Sequence, residues 1–188
     1  MNGRRLFYYF GFLTNIFSLI MKIFPLKIRI YLFSGERYSQ GYYGLAIRYI
    51  LLKSIAKKIG RNVAIEEGCF ILNPQNLVVG DNVSINQMCY IECYGGVEIG
   101  SDVSIAHGTT IMSVTHNYDR HDEPIKYQGT TPLKVIIKDN IWIGAKCTIL
   151  GGVLIDSGAI VGANALVNKY VSPNTIVGGV PAKFLKNR

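Results

Sequence analysis

His116 stands in a polar stretch, Thr115 to Gly129, that also carries Asn117, Tyr118, Asp119, His121, Asp122 and Tyr127. An imidazole titrates near neutrality, so it can take the proton of a hydroxyl while that hydroxyl attacks an acyl carbon. His116 is the candidate base, whereas His121 reads as a solvated loop residue and His107 as a surface one. Trp142 is the only tryptophan. Its place after Ile141 turns it outward, and an exposed indole suits a contact surface. The four cysteines, Cys69, Cys89, Cys93 and Cys147, form no CxxC pair and have no histidine at zinc-finger spacing, so they read as reduced core residues. Cys147 falls on an inward position, which argues against an acyl-cysteine route.

The elements that must hold these residues are written in a six-residue period. Aliphatic side chains recur at Ile59, Ile65 and Ile71, at Val79, Ile85 and Ile91, and at Ile99, Ile105 and Ile111, then from Ile137 through Ile143, Ile149, Ile155 and Val161 to Val167. Four residues after twelve of them comes a second inward position, filled by small or β-branched residues such as Val63, Cys69, Val83, Thr109, Cys147, Ala159 and Val171. A period of six with two inward places is no α-helix; it fits short strands and tight corners stacked as a three-sided parallel prism. Pro173 closes the run. Between Ile111 and Ile137 one interval of six residues is replaced by 26, so a loop of about 113–133 must leave the prism. Loops of that length in compact domains are usually functional or disordered.

Charge divides the chain. Residues 1–62 hold 11 basic and one acidic side chain, and the remainder holds nine and 11. A nucleic-acid binder wants its basic face on the folded body, whereas basicity tied to an apolar N-terminus points to an anionic membrane surface. Leu6 to Met21 is uncharged but only 16 residues long, short of the ~20 needed to span. No small-residue cleavage site follows it. It reads as an interfacial or core-packed helix, and Tyr42 to Ile59, with Arg48, Lys53, Lys57 and Lys58 among apolar residues, as a basic amphipathic helix. The expected division is a basic, aromatic-rich helical segment over 1–58 and the prism over 59–188, ending in a short tail. The helices either touch the inner face of the membrane or cap the first coil.

The string from Asn140 to Lys183, NIWIGAKCTILGGVLIDSGAIVGANALVNKYVSPNTIVGGVPAK, together with the loop THNYDRHDEPIKYQG, resembles the hexapeptide-repeat acyltransferases, in particular sugar O-acetyltransferases of the galactoside, maltose and surface-polysaccharide kind. The resemblance covers about 59–186. It implies a mainly β, left-handed parallel β-helix, acetyl-CoA as co-substrate with no metal, a sugar or glycan acceptor, homotrimers with sites between prisms, and a cytoplasmic enzyme. It aligns His116 with the catalytic histidine and Asn86 with an acceptor-binding asparagine, Asn86 reading equally well as a corner residue that satisfies its own backbone. Glu92 can orient the sugar or the histidine. Trp142 is placed beside the acyl and pantetheine arm, which Gly144 and Ala145 let lie close to the backbone, the Ala145 amide donating to the thioester oxyanion. Gly162 and Ala163 repeat the small pair. Lys169 and Lys183 fall near the nucleotide end, with Asn168 where the family often has threonine.

Other readings share parts of this pattern. N-acetylation of an amino sugar uses the same fold and cofactor. A zinc lyase of the carbonic anhydrase kind uses three histidines, but His107 lies too close to His116 to be the third ligand alongside His121. A scaffold without activity needs neither His116 nor Trp142.

Overall fold

The computed structural model describes the backbone of residues 3–188 and the side chains from Gly11 onward. Three helices, α1 (Gly3–Met21), α2 (Leu26–Gly35) and α3 (Gly41–Ile55), precede a parallel β-helix. The first face of the prism stacks Lys58–Ile59, Leu77–Val79, Val97–Ile99, Val135–Ile137 and Leu154–Ile155. The second stacks Ala64–Ile65, Ser84–Ile85, Ser104–Ile105, Trp142–Ile143, Ile160–Val161 and Thr175–Gly178. The third stacks Phe70–Leu72, Tyr90–Glu92, Thr110–Met112, Thr148–Ile149 and Leu166–Val167. The aliphatic period aligns along each face, so that Ile65, Ile85, Ile105, Ile143, Val161 and Val177 form one column. Nearly all of the inward residues join one buried core, in which each coil covers the apolar side of its neighbour.

The C-terminus departs from the sequence reading. Thr175–Gly178 adds a further parallel strand after Pro173, and Lys183–Asn187 returns antiparallel along it instead of forming an irregular tail.

The N-terminal end is closed by α3, which buries Tyr49, Leu51, Leu52 and Ile55 against the first coil. Arg48 is the point of attachment. Its side chain is 1% exposed, with Nε donating to the Ile65 carbonyl at 2.8 Å and Nη1 to the Ser39 and Glu36 carbonyls at 2.5 and 3.1 Å. Burial pushes its pKa below the usual arginine value. The amphipathic reading of 42–59 is corrected on this point. Arg48 faces the prism and not a lipid surface, and Ile59 lies on a strand. Helices α1 and α2 pack on α3, tied by Lys53 Nζ to Asn15 Oδ1 at 2.5 Å and by Arg29 Nη1 to the Ser54 carbonyl.

Candidate active site

The polar loop leaves at the third edge, between the third and first faces, as an antiparallel hairpin of Val114–His116 and Thr130–Pro132, with His116 opposite Thr130. Its root is a knot of short bonds. The Ser113 hydroxyl donates to the Glu92 carbonyl at 2.8 Å and lies 3.3 Å from Glu92 Oε2, while it accepts from the Gly95 amide at 2.9 Å. The Leu133 amide returns to the Ser113 carbonyl at 2.7 Å. Gly95 is required there, because a Cβ would collide with that carbonyl. Glu92 is tied into the same knot. It is buried, and Oε1 accepts from Asn73 Nδ2 at 3.1 Å and from the Tyr94 amide at 2.5 Å. Its carboxylate is held at the root of the arm. On the arm, Asn117 Nδ2 donates to the Gln128 carbonyl and Thr131 Oγ1 to Asn117 Oδ1, holding the hairpin together, while the His116 ring is exposed and takes no hydrogen bond within the described residues.

Asn86, Gly144, Ala145, Gly162 and Ala163 gather at one place, the second edge, between the second and third faces. Asn86, Ala106, Gly144 and Gly162 stack one above another, each amide donating to the coil above: Asn86 to Ile105, Ala106 to Ile143, Gly144 to Val161 and Gly162 to Val177, at 2.8–3.0 Å. Gln87, His107, Ala145 and Ala163 form the next column, marked by the bonds Lys146 N to His107 O and Asn164 N to Ala145 O. No hydrogen bond among the described residues takes the amides of Ala145 and Ala163. An unpaired donor at a tight corner is what a developing oxyanion needs. Trp142, 55% exposed, stands beside this edge on the second face. Gly144 has a role that its sequence position did not reveal. A Cβ would sit 2.5 Å from the Ala163 amide nitrogen, so the glycine is needed for coil stacking as well as for any ligand. Asn86 is half-buried, and its carboxamide makes no bond within the described residues, so it is not satisfying its own backbone.

Asn168 and Lys169 fall on the third edge, two coils above the exit of the arm, and line a groove of about 180 Å³ with Tyr170, Ala182 and Phe184. Lys183 is exposed on the final strand. Two residues of the second edge escaped the sequence reading. Met88 and Lys146 adopt left-handed φ values of 58° and 56°, in the column that Gly68 and Gly108 also occupy. Their register with those glycines is the signal that marks them, and side chains other than Gly, Asn and Asp seldom accept that conformation.

The four thiols lie inside the prism. All four are buried, and burial pushes the Cys93 and Cys147 pKa values up. His107 and His121 are exposed on different elements, and no group of three metal-ligating side chains converges among the described residues.

A hexapeptide-repeat-containing acetyltransferase of Vibrio cholerae, solved with acetyl coenzyme A, superposes on 85% of this chain and 84% of its own, with a TM-score of 0.74 and 26% identity. A protein of Escherichia coli K12 that carries the name lipopolysaccharide biosynthesis O-acetyl transferase WbbJ is 34% identical over 89 residues. In sequence and in fold the chain is similar to the hexapeptide-repeat acetyltransferases. The WbbJ match spans 44% of this chain and 45% of WbbJ, so it covers less than half of that relative. An N-acyltransferase of the same fold, AntD of Bacillus cereus, solved with dTDP-4-amino-4,6-dideoxyglucose and coenzyme A, covers 73% of this chain and 87% of its own at 26% identity and a TM-score of 0.54. No family model matches the chain. Within this prism the expected site is divided between two edges. The small residues and the open amides lie on the second, and His116, Glu92, Asn168 and Lys169 on the third.

Proposed function

We propose that this chain transfers an acetyl group from acetyl-CoA to a sugar hydroxyl during the building of a surface polysaccharide. The observation that carries the reading is the second edge, where the open amides of Ala145 and Ala163 lie beside the exposed Trp142 on a backbone thinned to Gly and Ala. A pantetheine arm fits along such a strip, with the thioester oxygen at an amide. Lys169 and Lys183 supply positive charge for the nucleotide phosphates. His116 takes the proton of the acceptor hydroxyl as its oxygen attacks the thioester carbon. The new C–O bond forms, the C–S bond breaks, and the imidazolium returns its proton to the leaving thiolate. Asn86 holds the acceptor. Because one prism separates its two edges by the width of the third face, the arm of one copy serves the second edge of a neighbour, which makes the active form a homotrimer. The reaction belongs where acetyl-CoA is made, in the cytoplasm. No helix among the described residues is long and apolar enough to cross a membrane.

N-acetylation of an amino sugar is the second reading, favoured by the likeness to AntD. Release of free thiol from acetyl-CoA, followed across a panel of hydroxyl and amino sugars, separates the two. His116→Ala is expected to lower turnover by about two to four orders of magnitude, the range for losing a general base, with acetyl-CoA binding and melting temperature unchanged. Turnover within a few-fold of the parent would remove His116 from the mechanism.

A further inference from the structure

From Gly11 to Met21, helix α1 is turned the opposite way from an ordinary surface helix. The side that meets the protein presents Thr14 and Ser18, 7% and 4% exposed, whose hydroxyls are satisfied within the helix by the carbonyls of Gly11 at 3.0 Å and Asn15 at 2.8 Å. The outer side carries Phe12 and Phe17, 75% and 52% exposed, with Leu19 and Ile20. The apolar surface continues through the turn into α2 with Ile23, at 80%, then Phe24 and Tyr31. A monomer seldom leaves so much contiguous apolar surface in water unless something covers it. Polar heads frame this patch. Lys22 and Lys27 are exposed at the α1–α2 turn, and the first 35 residues contain five basic side chains and no acidic one.

We propose that the outer face of α1 and α2 docks on the surface of an anionic lipid bilayer, with the aromatic and aliphatic side chains entering the acyl boundary and the lysines meeting the headgroups. Charge selects this occupant. A second copy of the same face would bring like charges together, whereas an anionic leaflet both neutralises them and receives the apolar side chains. Arg48 and Lys53, which a sequence reading adds to the membrane-facing set, are engaged elsewhere, Arg48 with the first coil and Lys53 with Asn15 and Tyr49. The contact therefore belongs to the first two helices and leaves α3 as the rigid joint to the prism. This inference is independent of the acetyl-transfer reading, since none of these residues lies at either edge of the candidate site.

The test uses the full chain and vesicles of phosphatidylcholine, with or without phosphatidylglycerol. Cosedimentation with the phosphatidylglycerol vesicles, weakened by salt and much lower on pure phosphatidylcholine, is the expected result. Phe12→Gln combined with Phe17→Gln and Ile23→Gln should lower partitioning at least tenfold. Lys22→Gln with Lys27→Gln should lower it by about tenfold or more on anionic vesicles alone. Turnover on a soluble acceptor should stay at the parent value in both, which separates this proposal from the one about chemistry. A parent chain that ignores anionic vesicles overturns the proposal, and so does equal retention on neutral ones. If the apolar variant loses oligomeric mass while its vesicle binding is unchanged, the face belongs to a second copy and the proposal fails.

Discussion

The first and second edges of the prism share one turn and differ in what is done with it. At both, the third turn position has positive φ: Asn62, Asn82, Asp102, Asn140 and Asn174 along the first, and Met88, Lys146 and Asn164 with Gly68 and Gly108 along the second. At both, the residue before it has an amide that points away from the stack. Along the first edge, side chains of the coil above take three of these amides, and the Asp139 amide has no such partner among the described residues. Arg61 N donates to Asp81 Oδ1 at 2.7 Å, Asp81 N to Ser101 Oγ at 3.1 Å and Ser101 N to Asp139 Oδ1 at 2.6 Å. Asn62, Asn82 and Asp102 add a second ladder, at 2.8 and 3.1 Å. Along the second edge the equivalent amides of Gln87, His107, Ala145 and Ala163 receive no such partner among the described residues. The fold needs the turn, and it does not need the amides left open. The contrast teaches that a repeat can keep its backbone geometry while leaving the donors of one edge unpaired.

A proline at the middle of each turn breaks the comparison most sharply, because a type II turn accepts proline there and the substitution removes only the amide. Ala145→Pro should lower acetyl-CoA turnover by about two to three orders of magnitude, the loss expected for an oxyanion donor, with little change in melting temperature. Ser101→Pro should do the reverse. It strands Asp139 and deletes the hydroxyl that Asp81 N uses, lowering stability by about 1–2 kcal/mol with turnover unchanged. Equal effects at the two edges would mean that the open amides carry no chemistry. Trp142→Ala should weaken acetyl-CoA binding about tenfold, measured by calorimetry, while the prism stays folded. If the variant instead becomes monomeric with unchanged affinity, the indole packs between copies.

The smallest effect is conformational. Lys146→Gly relieves a left-handed residue and should raise stability by up to about 1 kcal/mol in thermal unfolding. Asn82→Gly, at nearly the same φ, should not, because it loses the bonds to Asn62 and Asp102. A stabilised Asn82→Gly would show that the ladder contributes nothing.

Legibility in the sequence followed how directly burial dictates residue type. The columns of Ile and Val had to be aliphatic because each is covered by the coils above and below, so the period alone gave the prism, its faces and the place where the loop leaves. Trp142 was legible as outward for the same reason. Glu92 was not, because its partners Asn73 and Ser113 come from neighbouring coils at a corner where the period slips. Arg48 was misread since an arginine can be buried only where several carbonyls converge, here from Glu36, Ser39 and Ile65, and no local pattern announces that. The orientation of α1 depends on which of its sides α3 selects, a tertiary choice that amphipathicity would have made the other way. The sharing of one edge by Asn86, Ala145 and Ala163 required the register of the coils, which the spacing of Ile85, Ile143 and Val161 already contains.

Stacked coils also act as a spacer of fixed pitch. From Ile65, where Arg48 anchors the helical cap, three steps through Ile85 and Ile105 lead to Ile143 and the coil of Ala145. At the ~4.8 Å that separates neighbouring strands, the open amides stand roughly 14 Å above the first coil. Removal of residues 66–85, one whole turn of the stack, would leave the upper coils intact and bring them closer to the helices by about 4.8 Å. Reach is thereby written in the number of coils. If the helices rest on a bilayer as proposed, an acceptor held there meets this edge only at that height.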